Sequence, residues 1–343
     1  MSKSIMVMIK RGRNKRRQRW LLINVLLVLI VSGLCVGMLM LGNTIYPVRD
    51  VVRSLYDPSM GGVSFAVATI RLPRLLAGFF AGIAFGMAGH TFQTMLRNPL
   101  ANPDVLGITT GSSVAALFCL LIFQTNQTTA SLYAVIAGLL TVIVIYLLAW
   151  RKTFSIGRLI LVGLGIQAML NAVISYLLLV GNQQDIPAAL RWLSGSLNGA
   201  QLPATLPLIW TVVICAPLLI LLGNRLNILE LGEESAISLG VKTNRTRLLL
   251  IVCAVAMLAV ATASTGPIAF VAFLSGPIAQ RLVGGGYANI VTAGLIGAIL
   301  VLAADLLGQF AFGVRYPVGI VTGMLGAPYL LILLIKMNRR GRL

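Results

Sequence analysis

The sequence predicts an all-α, multi-pass membrane protein of about ten transmembrane helices, with both termini on the cytoplasmic side. Three observations carry that expectation. Hydrophobic residues make up 58% of the chain and charged residues only 10%, with a mean hydropathy of +0.94; soluble domains are about one-quarter charged. Uncharged runs at 20–48, 75–96, 105–150, 159–184, 192–224, 248–280, 282–304 and 316–335 each have room for at least one helix of roughly 20 residues. Basic residues, finally, concentrate on alternate connections.

The first run exceeds the 7–15-residue apolar core of a secretory leader and lacks a small-residue cleavage pattern, so its Trp20–Leu41 stretch is the first helix. Before it lies a basic arm, residues 1–19. The 105–150 run holds two helices, broken at Gln124-Thr125-Asn126-Gln127. The run from 248 also holds two, broken at Thr265-Gly266-Pro267, where Gly and Pro end a helix. Every other run supplies one, which makes a single ten-helix domain over 20–338 with an inner loop at about 225–245.

The net charge of +19 raises the question of nucleic acid. With the N-terminus inside, 21 basic residues fall on inner segments. Only Arg49, Arg53, Arg71, Arg74, Arg191 and Arg315 fall outside. That split follows the positive-inside rule, so sidedness explains the charge and no nucleic-acid partner is expected. Ten crossings also return the basic tail, Lys336, Arg339, Arg340 and Arg342, to the inner face.

Little of the chain reads as reaction chemistry. There is no G-x-x-x-x-G-K-[ST] phosphate loop and no Gly-Lys pair, so ATP is not held here in that way, and no enzyme activity is expected. Cys35, Cys119, Cys215 and Cys253 have no metal or redox spacing and read as buried small hydrophobes; no metal site is expected. Asp305, about a turn from the outer end of its helix, is either a helix-paired carboxylate or a gating group, and His90 is either a packing or a gating residue. Gly78, Gly82 and Gly86 form a small-residue stripe for close helix packing. Gly163, Gln167, Asn171 and Ser175 share one helical face, and their polarity requires partners or water.

Glu230, Glu233 and Glu234 place three of the eight carboxylates within five positions. They open a short helix from Gly232 to Leu239, about 12 Å long at 1.5 Å per residue, with carboxylates at the positive dipole end and Gly240 as its stop. The inner leaflet is itself negative, so a helix resting on lipid should carry lysine and arginine. Three glutamates there point to a protein partner.

Four blocks then carry a resemblance. Leu231-Gly232-Glu233, Ala236 and Leu239-Gly240-Val241 form the first. The second is Arg71-Leu72-Pro73-Arg74, then Gln93, Arg97-Asn98-Pro99-Leu100-Ala101-Asn102-Pro103, Leu106-Gly107 and Gly111-Ser112. The third is Gly266-Pro267-Ile268-Ala269-Phe270-Val271, and the fourth runs from Tyr316-Pro317-Val318-Gly319 to Gly326-Ala327-Pro328. In order and spacing this set resembles the iron-chelate and cobalamin permeases of ATP-binding cassette importers, over about residues 65–335.

The resemblance implies a subunit that works as a pair above two cytoplasmic ATPases and below an extracytoplasmic binding protein, in the cytoplasmic membrane of a bacterium. It makes Glu230, Leu231, Gly232, Glu233, Glu234, Ala236, Leu239 and Gly240 the loop that receives the ATPase stroke. It makes Arg71 and Arg74, and more weakly Arg315, the contacts for acidic residues of the binding protein; the alternative is that Arg71 and Arg74 snorkel from a helix end. Gln167, Asn171 and Ser175, with Gly319, Thr322 and Gly323 of the tenth helix, would line the translocation path; interhelical hydrogen bonding is the alternative. No cofactor is implied for this chain, and ATP-Mg belongs to the partner. Two departures, Gln309 where the family has arginine and Pro277-Ile278 where it has Pro-His, suggest one half of a heterodimer. The implied cargo is an iron–siderophore complex, with cobalamin or haem as neighbours. An ion-coupled secondary carrier is the competing class, but it needs coupling-ion sites at mid-membrane.

Overall fold

The computed structural model describes residues 3–57, 61–102, 104, 107–149, 156–284 and 288–338. Pro103, Leu106, Arg339, Arg340 and Arg342 lie outside the described residues. The described chain is helical, in the order α1 (Lys3–Met40), α2 (Val48–Tyr56), α3 (Gly62–Ser64), α4 (Leu72–Met95), α5 (Ile108–Leu117), α6 (Gln127–Ala149) and α7 (Ile156–Val180). There follow α8 (Ile186–Leu193), α9 (Leu202–Glu230), α10 (Glu233–Ser238), α11 (Thr243–Thr265), α12 (Val271–Val283), α13 (Ile290–Phe310) and α14 (Val318–Asn338). π-helical stretches lead into α4 (Phe65–Arg71) and continue α5 (Phe118–Ile122).

Eight helices are long and apolar enough to cross a membrane, and two shorter apolar ones, Ile108–Ile122 and Val271–Val283, accompany them among the described residues. These eight spans and two shorter apolar helices stand where the ten crossings were expected, and both breaks fall where the sequence placed them. α11 stops at Thr265 and Gly266 turns the chain with φ +72°. The stretch between Ile122 and Gln127 separates the two helices of the long run, with Gln124 at φ +51°.

Three features differ in extent from the expected elements. α1 starts at Lys3, so the basic arm continues the first crossing as one helix, which ends at Met40, one residue before the expected Leu41. The 192–224 run begins with the last two residues of α8 and then has eight non-helical residues, 194–201, before α9. The connections also contain two short amphipathic helices, α2 and α8.

α4 is the hub, packed against α13, α11, α12 and α9. Lipid offers helices no hydrophobic reason to associate, so close contact depends on small residues, and the glycine stripe supplies them. A Cβ at Gly82 would lie 2.5 Å from Ala298 Cα, and one at Gly86 2.3 Å from Ala293 O. Gly89 extends the same face onto α12, where its Cβ would meet Ala272 O at 1.9 Å.

Contacts between helix ends sort the connections onto two rims. At one, Ser196 N–H donates to Thr265 O at 2.7 Å and Gly319 N–H to Gly195 O at 3.1 Å. At the other, Arg19 Nε donates to Leu282 O at 2.9 Å and Arg97 Nη2 to Leu229 O at 3.2 Å. The second rim carries α10.

Candidate functional site

α10 hangs between the two long helices α9 and α11. Gly232, its N-cap, has φ +125°, and Gly240 behind it has φ +79°, conformations that a Cβ disfavours. Glu233 and Glu234 occupy its first turn, where the helix dipole favours carboxylates. Val241 N–H returns to Ala236 O at 2.9 Å, and Ala236 is fully buried. This plug fixes the helix to the bundle and turns the rest outward. Leu231, Ile237 and Leu239 are 66%, 58% and 60% exposed, and Glu230, Glu233 and Glu234 are exposed beside them. Glu233 pairs with Arg247 of α11 at 3.1 Å, a surface bridge worth under about 1 kcal/mol. The result is a small knob, both apolar and acidic, on a rigid base.

The other rim gathers its arginines into internal bonds. Arg74 Nε donates to Asp305 Oδ2 at 2.8 Å and Nη2 to Asp305 Oδ1 at 2.7 Å, while Nη1 donates to Asn198 Oδ1 at 2.6 Å. Gln309 Nε2 adds a bond to Asp305 Oδ2 at 2.8 Å. Asp305 is thus a helix-paired carboxylate. Arg71 donates to Leu39 O and Met40 O at 2.8 Å and to Thr44 O at 2.7 Å, with its guanidinium over the Tyr46 ring. It therefore caps the carbonyl end of α1. Arg315 is exposed and donates to Asn43 Oδ1. Arg71 and Arg74 share a rim as expected, but each is committed to partners within the chain.

The polar faces of α7 and α14 separate. Gly163 is buried, Gln167 half-buried, and Asn171 and Ser175 exposed, so this face of α7 looks out of the subunit. α7 is also the least buried of the candidate spans, at 11%. On α14, Gly319 is packed against Ser194 O, which a Cβ would meet at 1.9 Å, whereas Gly323 has nothing within 4 Å of its Cβ position. Thr322 is buried and donates to Gly319 O at 3.2 Å. Gly319 and Thr322 are therefore packed within the chain, and Gly323 opens outward.

His90 is buried with Nδ1 unpartnered, facing the Gly276 backbone of α12. Of the four cysteines, Cys119 and Cys253 are buried as expected, whereas Cys35 and Cys215 are only half-buried. No group of three or more metal-ligating side chains occurs among the described residues.

Eight candidate membrane spans with two shorter apolar helices among them make this a multi-pass membrane protein. The family model of the FecCD transport family matches residues 24–336, and the chain belongs to that family. It is 39% identical to the ferric enterobactin transport system permease protein FepG of Escherichia coli (strain K12), across 85% of this chain and 88% of that one. It is 36% identical to the achromobactin transport system permease protein CbrC of Dickeya dadantii (strain 3937), across 91% and 89%. Among solved structures it superposes with a TM-score of 0.82 and 26% identity on an inward-facing putative metal-chelate type ABC transporter, covering 92% of this chain and 99% of that one.

Proposed function

We propose that this chain is the membrane-spanning permease subunit of an ATP-binding cassette importer that carries an iron–siderophore complex across the cytoplasmic membrane of a bacterium. The cargo reading is supported by the systems for which FepG and CbrC are named. The single observation that carries the mechanism is the exposed apolar and acidic α10, fixed by buried Ala236 between two long helices.

In this reading the rim rich in basic residues faces the cytoplasm. A separate ATPase pair presses on Glu230, Leu231, Gly232, Glu233, Glu234, Ala236, Leu239 and Gly240. The opposite rim receives an extracytoplasmic binding protein: Arg71 and Arg74 shape it through their internal bonds, and exposed Arg315 presents charge. Gln167, Asn171 and Ser175 of α7, with Gly323 near the buried Gly319 and Thr322 of α14, border a path completed by a second permease subunit. Gln309 in place of arginine favours a different chain as that second subunit. ATP-Mg acts on the ATPase, and selection of the chelate rests with the binding protein.

Iron-starved uptake tests the cargo. A strain lacking this chain should lose accumulation of one labelled ferric siderophore and keep that of cobalamin and haem. Loss of cobalamin or haem uptake alone would reassign the cargo within the family.

A further inference from the structure

The end of α4 carries an arginine where helix geometry favours glycine. Asn98 N–H returns to Gln93 O at 3.0 Å and Arg97 N–H to Thr94 O at 3.1 Å, the paired closures of a Schellman cap. The residue that makes this turn takes a positive φ, and a Cβ there crowds the backbone. Arg97 nevertheless holds it, with φ +52°. Strain of this kind persists where the surroundings over-determine it, often because function uses the side chain.

The side chain crosses to the root of α10. Arg97 Nη2 donates to Leu229 O at 3.2 Å, a carbonyl in the last turn of α9 that also accepts from Gly232 N–H. A Cβ on Gly232 would stand 3.8 Å from Nη2 and 3.9 Å from Nη1, so the guanidinium lies beside the N-cap of α10. Its charge suits the carbonyl end of α9. Behind it stands α4, the helix against which four others pack.

We infer that Arg97 is a positioning residue of the transport stroke: its guanidinium clamps the α9–α10 junction to the end of α4, so that displacement of α10 reaches the central helix. The inference rests on α10 being the ATPase contact. Without the clamp, movement of α10 would be absorbed in the connection around Leu231 and Gly232.

Glycine at position 97 supplies a clean test, because it relieves the backbone and removes only the clamp. The assembled complex of permease pair, ATPase and binding protein is reconstituted in proteoliposomes, and uptake per ATP hydrolysed is measured with the melting temperature. Arg97→Gly should melt no lower than the native complex, while uptake per ATP falls about tenfold, within the range of ordinary coupling energies. Arg97→Lys should recover part of the ratio. Native uptake per ATP in Arg97→Gly, or a loss matched by a lower melting temperature, overturns the clamp. Glu233→Lys runs in parallel. If it uncouples while Arg97→Gly does not, only the clamp fails; if Glu233→Lys couples normally, the reading of α10 fails and the clamp with it.

Discussion

Arg74 and Asp305, 231 positions apart, meet in a two-bond ion pair in which the carboxylate side chain is 1% exposed and the arginine 14%. The pair joins α4 and α13 at one rim, the same two helices that the glycine stripe brings together along their length. Asn198 and Gln309 complete the bonding.

Removing one partner leaves a buried charge uncompensated, which costs about 3–5 kcal/mol where such pairs are broken. Asp305→Ala and Arg74→Ala should each lower the melting temperature of the detergent-purified chain. Asp305→Leu with Arg74→Met together should cost less than the two single losses combined. A double-mutant cycle on thermal denaturation checks this.

The glycine contacts make a graded series. Gly89→Ala sets a methyl against Ala272 O at 1.9 Å, and Gly82→Ala sets one against the Ala298 backbone; each should destabilise by about 1–3 kcal/mol, the usual cost of overpacking. Gly165→Ala, with nothing within 4 Å, should be neutral or slightly stabilising because alanine favours the helix. Melting temperatures of the three variants order them.

Much of this architecture is legible in one sequence because lipid imposes a simple rule, that each crossing must be a long apolar helix with its backbone bonds satisfied internally. The Gly266-Pro267 break, the glycine stripe and the acidic α10 all follow from local chemistry. α2 and α8 escape that reading because helices of nine and eight residues on the rim leave no membrane-length signal. The π-helical entry to α4 has no local signal either, beyond Pro73, which lacks the N–H that a regular first turn does without. The bonds of Arg71 and Arg74 are invisible for a different reason: a charge at a helix end reads as available until the fold brings it a partner from far along the chain. The bond of Gln309 to Asp305 is likewise seen only in the fold.

Glu233→Lys reverses charge on the exposed face of α10 and breaks the bridge to Arg247. The chain itself should fold, since that surface bridge is worth under about 1 kcal/mol. Uptake should fall while the permease still reaches the membrane. Parallel assays of membrane-inserted protein, ATP hydrolysis and chelate uptake separate these effects, and normal uptake removes α10 from the mechanism.

Dependence on an external motor is the central claim, and reconstitution tests it most directly. Proteoliposomes containing the permease pair are loaded with ATP and assayed for uptake of a labelled ferric siderophore, with and without the ATPase and the binding protein. Uptake is expected only from the complete complex with hydrolysable ATP. Accumulation by the permease alone, driven by an ion gradient and indifferent to ATP, would contradict it.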